Sequence, residues 1–511
     1  MTADRPFFIT TPIYYVNDQP HLGHAYTTVA CDALARFMRL DGRRVKFLTG
    51  TDEHGQKVEQ SARAAGISPL EFADRISGAF RDVTRLLDIS QDDFIRTTEP
   101  RHTRAVQALW RELESRGEIY LGRFSGWYSV RDEAFYEESE LVDGKAPTGA
   151  EVEWLEEENY FFRLSAWQDR LLAYYEANPD AVAPRGGRNE VISFVKGGLK
   201  DLSISRTSFS WGIPVPGNSK HVIYVWLDAL TNYITALGYP DEDSSEFAMF
   251  WPTVLHVVGK DILRFHSVYW PAFLMAAGLE PPRRVFANGW WTVEGQKMSK
   301  SLGNVIPPKQ LVDTYGVDPV RYFLLRELPF GSDGDFSHRA VVARLNADLA
   351  NDFGNLAQRV LVMINRECDG AVPEPGVLAE ADEALLANAR TLLGNVRIHM
   401  QEQAFHLALE TIWRVVGEAN RYTDEQAPWA LRRSDPARMR MVLYTLAETI
   451  RYFATLVQPF VPNAAAKLLD QLAVPVGSRD FAALKQAPLT PGTRLPKPEG
   501  IFPRFVEAPA A

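Results

Sequence analysis

The run Phe7-Phe8-Ile9-Thr10-Thr11-Pro12-Ile13-Tyr14-Tyr15-Val16-Asn17-Asp18-Gln19-Pro20-His21-Leu22-Gly23-His24-Ala25-Tyr26 governs how the rest of the sequence is read. Residues 7–9 are aromatic, apolar and β-branched, the composition of a short buried strand. Pro12, Asn17, Asp18 and Pro20 interrupt that regularity. Residues 25–38, with Val29, Leu34 and Phe37 among their apolar positions, predict a helix. A strand feeding a loop at a helix N-terminus is where α/β folds take phosphates. Gly23 permits close approach to the backbone, and His21 and His24 can donate to phosphate oxygens. No GxGxxG or GxxxxGK[ST] string is present, so this is neither the dinucleotide fingerprint nor the P-loop. Two neighbouring histidines are more often structural than chemical, and the remaining sequence has to decide between the two.

With 511 residues the chain exceeds one hydrophobic core, and roughly two to four domains are expected. A content of 46% hydrophobic and 23% charged residues is that of a globular protein. No stretch is long and apolar enough to span a bilayer, and the N-terminus lacks the apolar centre of a signal peptide. Cys31 and Cys368 are far apart, which excludes a disulfide framework and a cysteine-based zinc site. A cytoplasmic protein with no membrane partner is the expectation. The net charge of −10 argues against a protein that coats nucleic acid, although a local basic surface can still hold a structured RNA.

Residues 45–50 predict a second strand, ending in Thr51-Asp52-Glu53-His54-Gly55. Polar residues just past a strand's carboxyl end belong to the ligand crevice of a βαβ unit. Asp52 and Glu53 can neutralise an ammonium, and His54 can meet a sugar or phosphate; Asp52 can equally cap a helix starting near Gly55. Helices are predicted at 68–87 and 101–115, with a strand at 92–98 between them. From residue 119 short strand-like runs alternate with acidic and glycine-containing turns, and helices follow at 167–177 and 189–196, so 119–218 reads as an α+β insertion. Arg206, in an extended segment near its end, suits a structural ion pair or a substrate anion. The α/β pattern resumes with strands at 222–228, 254–258 and 284–287 and helices at 229–237 and 262–277. Gly295-Gln296-Lys297-Met298-Ser299-Lys300-Ser301-Leu302-Gly303 places two lysines and two hydroxyls between glycines. That suits a mobile clamp for a polyphosphate, or a solvated basic turn. Beyond residue 313 helical spacing prevails at 317–327, 339–366, 381–399, 404–422, 437–453 and 463–472, and the proline-containing tail from 486 reads as extended.

Taken together these strings resemble the methionyl-tRNA synthetase family of class I aminoacyl-tRNA synthetases. His21-Leu22-Gly23-His24 is similar to the class's HIGH signature and Lys297-Met298-Ser299-Lys300-Ser301 to its KMSKS signature. The segments 12–17, 51–55, 224–229, 259–266 and Glu425-Gln426-Ala427-Pro428-Trp429 resemble the methionine-specific members. The resemblance implies an α/β fold in which a Rossmann-type parallel sheet is split by the α+β insertion and followed by an all-α anticodon-binding bundle. The implied division is 1–118 and 219–291 for the two catalytic halves, 119–218 for the insertion, 292–338 for the KMSKS loop and stem-contact region, 339–485 for the bundle and 486–511 for the tail. The implied reaction joins L-methionine to ATP with Mg²⁺, then transfers the methionyl group to the terminal adenosine of tRNA(Met).

By the same resemblance, His21, Gly23, His24, Lys297, Ser299 and Lys300 bind ATP, with His21, His24, Lys297 and Lys300 as the catalytic set. Asp52 pairs with the substrate's ammonium. Pro12, Ile13, Tyr15, Trp226, Ala229, Leu230, Tyr233, Ile262 and His266 form the side-chain pocket, where aromatic rings suit a thioether and Tyr15 and His266 supply weak polar contacts to sulfur. Trp226, Tyr233 and Ile262 also suit a plain core. Asn355, Arg359 and Trp429 match the residues that read the CAU anticodon, although Trp429 would also serve as a core anchor and Asn355 as a surface residue of a helix. Two departures stand out. The insertion lacks the zinc-binding cysteines of many relatives, with Ser129 where some have cysteine, so no structural zinc is expected. Asn288 stands where relatives commonly carry histidine. Without the family's appended dimerisation domain, a monomer is expected. The alternatives are a class I synthetase for valine, isoleucine or leucine, disfavoured by the missing editing domain, and a non-catalytic tRNA-binding paralogue, disfavoured by the intact signature strings.

Overall fold

The computed structural model describes residues 5–17, 19–132, 134–136, 138–241, 243–298 and 303–507. Its centre is a six-stranded parallel sheet of β1 (Pro6–Tyr15), β2 (Arg44–Asp52), β3 (Asp93–Arg96), β4 (Val182–Ala183), β5 (Leu255–Gly259) and β6 (Arg284–Asn288). The spatial order is β3-β2-β1-β5-β6-β4. The chain therefore builds outward from β1 in one direction, then returns to β1's other side, and the junction of β1 and β5 is the switch point at which such sheets open a crevice.

β1 is longer than its apolar start predicts. Its register against β2 shifts between Thr10 and Ile13, so Pro12 sits at an irregularity and the strand continues to Tyr15; a bulge is where a sheet tolerates proline. Alternation along β1 divides two cores. Phe7 and Ile9 enter one with α1 (Leu22–Leu40), while Phe8 enters the other with α2 (Pro100–Ser115) and α3 (Val225–Thr235). Fourteen of α1's 19 side chains are buried, which makes it a core helix rather than a surface one. α1 begins at Leu22, three residues before the predicted start.

The structure corrects three readings. The apolar run 222–228 is not one strand: Asn218–Ile223 belongs to a small antiparallel sheet, and α3 starts at Val225. A short continuous apolar run does not distinguish strand from buried helix by period alone. The predicted helix 262–277 is broken into a 3₁₀ turn, a π-helical turn Phe265–Tyr269 and a helix Trp270–Ala276, with Pro271 supplying no N–H at the joint. The predicted helix 339–366 likewise contains a π segment, Leu345–Gly354.

Within 119–218 lies a four-stranded antiparallel sheet built on the long pair Ile119–Ser129 and Glu153–Phe162. β4, from the same stretch, is an edge strand of the main sheet. Toward the C-terminus, the long helices Glu380–Gln401, Phe405–Gln426 and Pro436–Val457 pack into one core that is continuous with α1. The tail returns along this region, with Phe505 exchanging both backbone hydrogen bonds with the Asn346 amide.

A buried guanidinium joins the halves. Arg321, on α4 (Val317–Arg326), donates to Asp32 of α1 at 2.6 Å and to the carbonyls of Leu87, Pro459 and Phe460. Burial opposes the Asp32 carboxylate, but Arg321, Arg36 and Ser90 outweigh it and hold its pKa below the ordinary range. Arg321→Met removes the buried cation from Asp32, leaving it Arg36 and Ser90, and strips three carbonyls of their donor. It is expected to cost about 3 kcal/mol or more, read as a lower urea midpoint by circular dichroism. In the Asp32→Asn background the added loss is expected to be smaller, because the two groups act as a pair.

Candidate active site

The chemistry of the α1 N-terminus is set by its cap. His21 is the extended N-cap residue, with φ −135° and ψ 177°. Its Nδ1 accepts the Gly23 N–H at 3.1 Å, and His24 Nδ1 accepts the His21 N–H at 3.1 Å. A ring nitrogen that accepts carries no proton, so both imidazoles keep theirs on Nε2. The rings lie 3.8 Å apart, and Tyr14 and Phe80 meet His24 edge-on. Burial, followed by the neighbouring His21, pushes the His24 pKa well below the ordinary value. The result is two neutral N–H donors beside the positive end of a helix. A Cβ on Gly23 would press on the His21 ring at 3.1 Å, so glycine keeps this turn open.

These residues line a cavity of about 560 Å³ at the carboxyl end of β1. The same cavity gathers Pro12, Ile13, Tyr15, Asp52, Trp226, Ala229, Leu230, Tyr233, Ile262 and His266, all ten residues expected around the amino acid. Tyr15 and Asp52 are register partners across β1 and β2, which places them side by side. Of the two adjacent carboxylates, Asp52 faces the cavity while Glu53 is fully buried and grips Arg96 through both oxygens. Asp52 does not cap the following helix; Gly55 is its N-cap.

The apolar wall is ordered by a chain of neutral polar groups. His266 Nδ1 donates to the Ile262 carbonyl at 3.0 Å, which leaves Nε2 to accept the Tyr233 hydroxyl proton at 2.7 Å. Tyr233 lies against His256, and Trp270 donates to His256 Nε2, so His256 gives its Nδ1 proton to Thr10. Trp226 stacks on Phe265 with centroids 3.6 Å apart. Both nitrogens of His266 are thus engaged within the wall, so its polar contribution passes through Tyr233.

Lys297 also lines the cavity, from a short strand paired with Trp291–Val293. Its ammonium lies 5.4 Å from the Trp290 ring centroid, and Lys260 lies 4.2 Å from the same ring. Ser299, Lys300 and Ser301 fall outside the described residues. Sequence reasoning missed Arg131, Asp132, Asp261, Trp290 and Thr292, which also line the cavity. Arg131 and Asp132 follow Ser129, whose Oγ accepts the Asp132 N–H at 3.2 Å; a charged pair just after a predicted strand was the available signal. Asn288 links elements, accepting from Thr27 of α1 and donating to the Gly289 carbonyl. Arg206 does not line the cavity. It is buried against Tyr224 and bonded to Ser203 and its neighbour's carbonyl. His54 is also withdrawn, its Nδ1 held by Asp228.

A second group lies on the helical region. Asn355 is exposed at the start of Asn355–Glu367, with Arg359 one turn on. Trp429 is 47% exposed, which excludes the core-anchor reading. The Arg359 guanidinium lies 5.3 Å from its ring centroid and pairs with Asp424 at 3.1 Å.

Comparison with known proteins gives a consistent result. The family described as tRNA synthetases class I (M) matches residues 7–153 and 148–361, and the anticodon binding domain of methionyl tRNA ligase matches 372–510. The methionine–tRNA ligase of Mesorhizobium japonicum is 58% identical over 99% of each chain, and that of Brucella suis 59% identical over 98% of each. The chain belongs to the methionyl-tRNA synthetase family. Among solved members, the Mycobacterium tuberculosis methionyl-tRNA synthetase in complex with methionyl-adenylate superposes with a TM-score of 0.96 at 56% identity, covering 98% of this chain and 100% of that one. The fold expected from the family resemblance, a parallel sheet with helices and a helical C-terminal region, is the one observed.

Three buried imidazoles have a consequence for stability. Burial pushes His24 and His256 well below the ordinary 6.5 and His266 to about 4. Between those values the unfolded chain binds protons that the folded chain refuses, so stability is full above about 6.5 and falls as pH drops toward 4. Thermal midpoints are expected to stay level from pH 8 to about 6.5 and then decline, with a shallower decline in His266→Gln.

Proposed function

We propose that this chain activates L-methionine with ATP and esterifies the 3′-terminal adenosine of tRNA(Met). The observation that carries the reading is one continuous cavity that joins an aromatic pocket, with the Asp52 carboxylate at its β2 edge, to a helix N-terminus furnished with two imidazole donors. The methionine carboxylate attacks the α-phosphorus, the bond to the β-phosphate breaks, and pyrophosphate leaves with the electron pair. A tRNA ribose hydroxyl then attacks the adenylate's carbonyl and AMP leaves. Neither step needs a protein nucleophile; alignment and charge dispersal suffice.

In this reading Asp52 takes the α-ammonium. Pro12, Ile13, Tyr15, Trp226, Ala229, Leu230, Tyr233 and Ile262 enclose the thioether side chain, and His266 orients Tyr233. His21 and His24 donate from Nε2 to the phosphates across Gly23, and Lys297, Ser299 and Lys300 offset charge on the departing pyrophosphate. Mg²⁺ would be held chiefly by the phosphates of ATP and would disperse their charge. Among the described residues no group of three or more His, Cys, Asp or Glu side chains is placed to hold a metal ion, and Ser129 suits a turn hydrogen bond. Residues 119–218 contain no cysteine, and on that chemistry we read the insertion as zinc-free; we also read the chain as a cytoplasmic monomer. Arg359 and Trp429, paired and accessible, suit a splayed anticodon base, with Asn355 beside them.

Three measurements test this. ATP–pyrophosphate exchange is expected with methionine and not with leucine, valine or isoleucine; exchange driven by leucine instead would refute the reading. Lys300→Ala is expected to slow single-turnover adenylate formation by about 10²-fold or more with methionine affinity retained. Trp429→Ala is expected to lower charging of tRNA(Met) by about tenfold while exchange is unchanged; equal loss in both assays would make Trp429 structural.

A further inference from the structure

The amino-acid pocket has two walls from different parts of the sequence, and one buried bond crosses between their backs. Asp52 ends β2, and α3 brings Trp226, Ala229, Leu230 and Tyr233 to the cavity. From its buried side α3 presents Asp228, fully buried, to two imidazoles: His54 Nδ1 donates to Oδ2 at 2.7 Å and His102 Nε2 to Oδ1 at 2.8 Å. None of the three lines the cavity.

The segment that carries His54 has little slack. The Glu53 N–H donates to Thr97, and the Trp211 indole donates to the Glu53 carbonyl at 2.6 Å. Gly55 turns away at φ 111°, a conformation that favours glycine, and its N–H donates to the Trp211 carbonyl. The His54–Asp228 bond ties this segment directly to α3. A buried carboxylate is a costly way to fill space, and an apolar side chain would pack there with less penalty. What the carboxylate adds is direction: its bond to His54 sets where α3 lies relative to residues 52–54, and its bond to His102 sets where α3 lies relative to α2.

We propose that His54 and Asp228 are positioning residues for methionine recognition, the bond between them setting the distance from the Asp52 carboxylate to the α3 wall. The inference rests on the reading of Asp52 as the ammonium partner and of α3 as the side-chain wall. ATP is reached from α1 and is not braced by this bond, so the effect falls on methionine alone.

The test is ATP–pyrophosphate exchange with the full chain, measuring the KM for each substrate. His54→Leu is expected to raise the methionine KM about tenfold, the size of one lost charge-assisted hydrogen bond, with the ATP KM within about twofold. His54→Asn, whose amide N–H lies near the place of Nδ1, is expected to recover most of that loss. In the Asp52→Asn background, His54→Leu is expected to add less than about threefold, because it acts through Asp52. Methionine and ATP KM values rising together, failure of His54→Asn to rescue, or a full penalty on top of Asp52→Asn would each overturn the inference. Where His54→Leu does not fold, Asp228→Asn, which keeps the shape and removes an acceptor, carries the same comparisons. An unchanged methionine KM in Asp52→Asn alone would overturn the reading of Asp52 and this inference with it, whereas additive penalties overturn only the inference.

Discussion

At the start of α1, two imidazoles each give a ring lone pair to a backbone N–H. Most helices take a hydroxyl or carboxylate oxygen for this task, which leaves the cap with no further donor of use. A histidine that caps through Nδ1 still has an N–H on its far edge. Accepting through Nδ1 requires the neutral ring, since an imidazolium cannot accept. Burial reinforces that choice at His24. The helix end therefore offers an N–H from each ring, and the positive charge beside it belongs to the helix dipole and to Lys297.

The amino-acid side of the cavity follows the same logic of neutral, mutually satisfied groups. His266, Tyr233, His256, Thr10 and Trp270 exchange hydrogen bonds or ring contacts inside the wall, and each ring is held in one orientation by the next. Such a network costs stability if broken but specifies a single shape. The carboxylates are separated by strand alternation: Asp52 faces the cavity, and Glu53 is spent on Arg96. Of these two, only Asp52 reaches the cavity, where Asp132 and Asp261 are the other carboxylates of the lining.

Much of this was legible in the sequence because it is carried by short local strings. His21 to His24, Asp52, Trp226 to Tyr233 and Ile262 to His266 could be placed by motif, and all meet at one cavity. What failed was of two kinds. Run length misled at 222–228 and 262–277, where buried apolar residues carry no period that separates strand, α-helix and π-turn. Long-range pairing was invisible: nothing in His54, His102 or Asp228 announces that the three meet, and Arg131 and Asp132 reach the cavity from a sheet that is remote in sequence. Arg206 shows the converse, a charged residue open to a ligand reading whose cation lies against the Tyr224 ring.

The two-residue strand β4 has a consequence for how such a protein could have been assembled. Residues 119–218 do not leave the sheet at one point and rejoin at another; partway through, Val182 and Ala183 dip back to pair with Val285 and Phe286. Splicing 118 directly to 219 would therefore strip a strand from the edge of β6 and uncover a row of backbone donors and acceptors. An ancestral enzyme lacking the insertion would have needed another cover for that edge. The segment is woven into its host rather than appended to it, so its loss and its transplantation are not reciprocal operations.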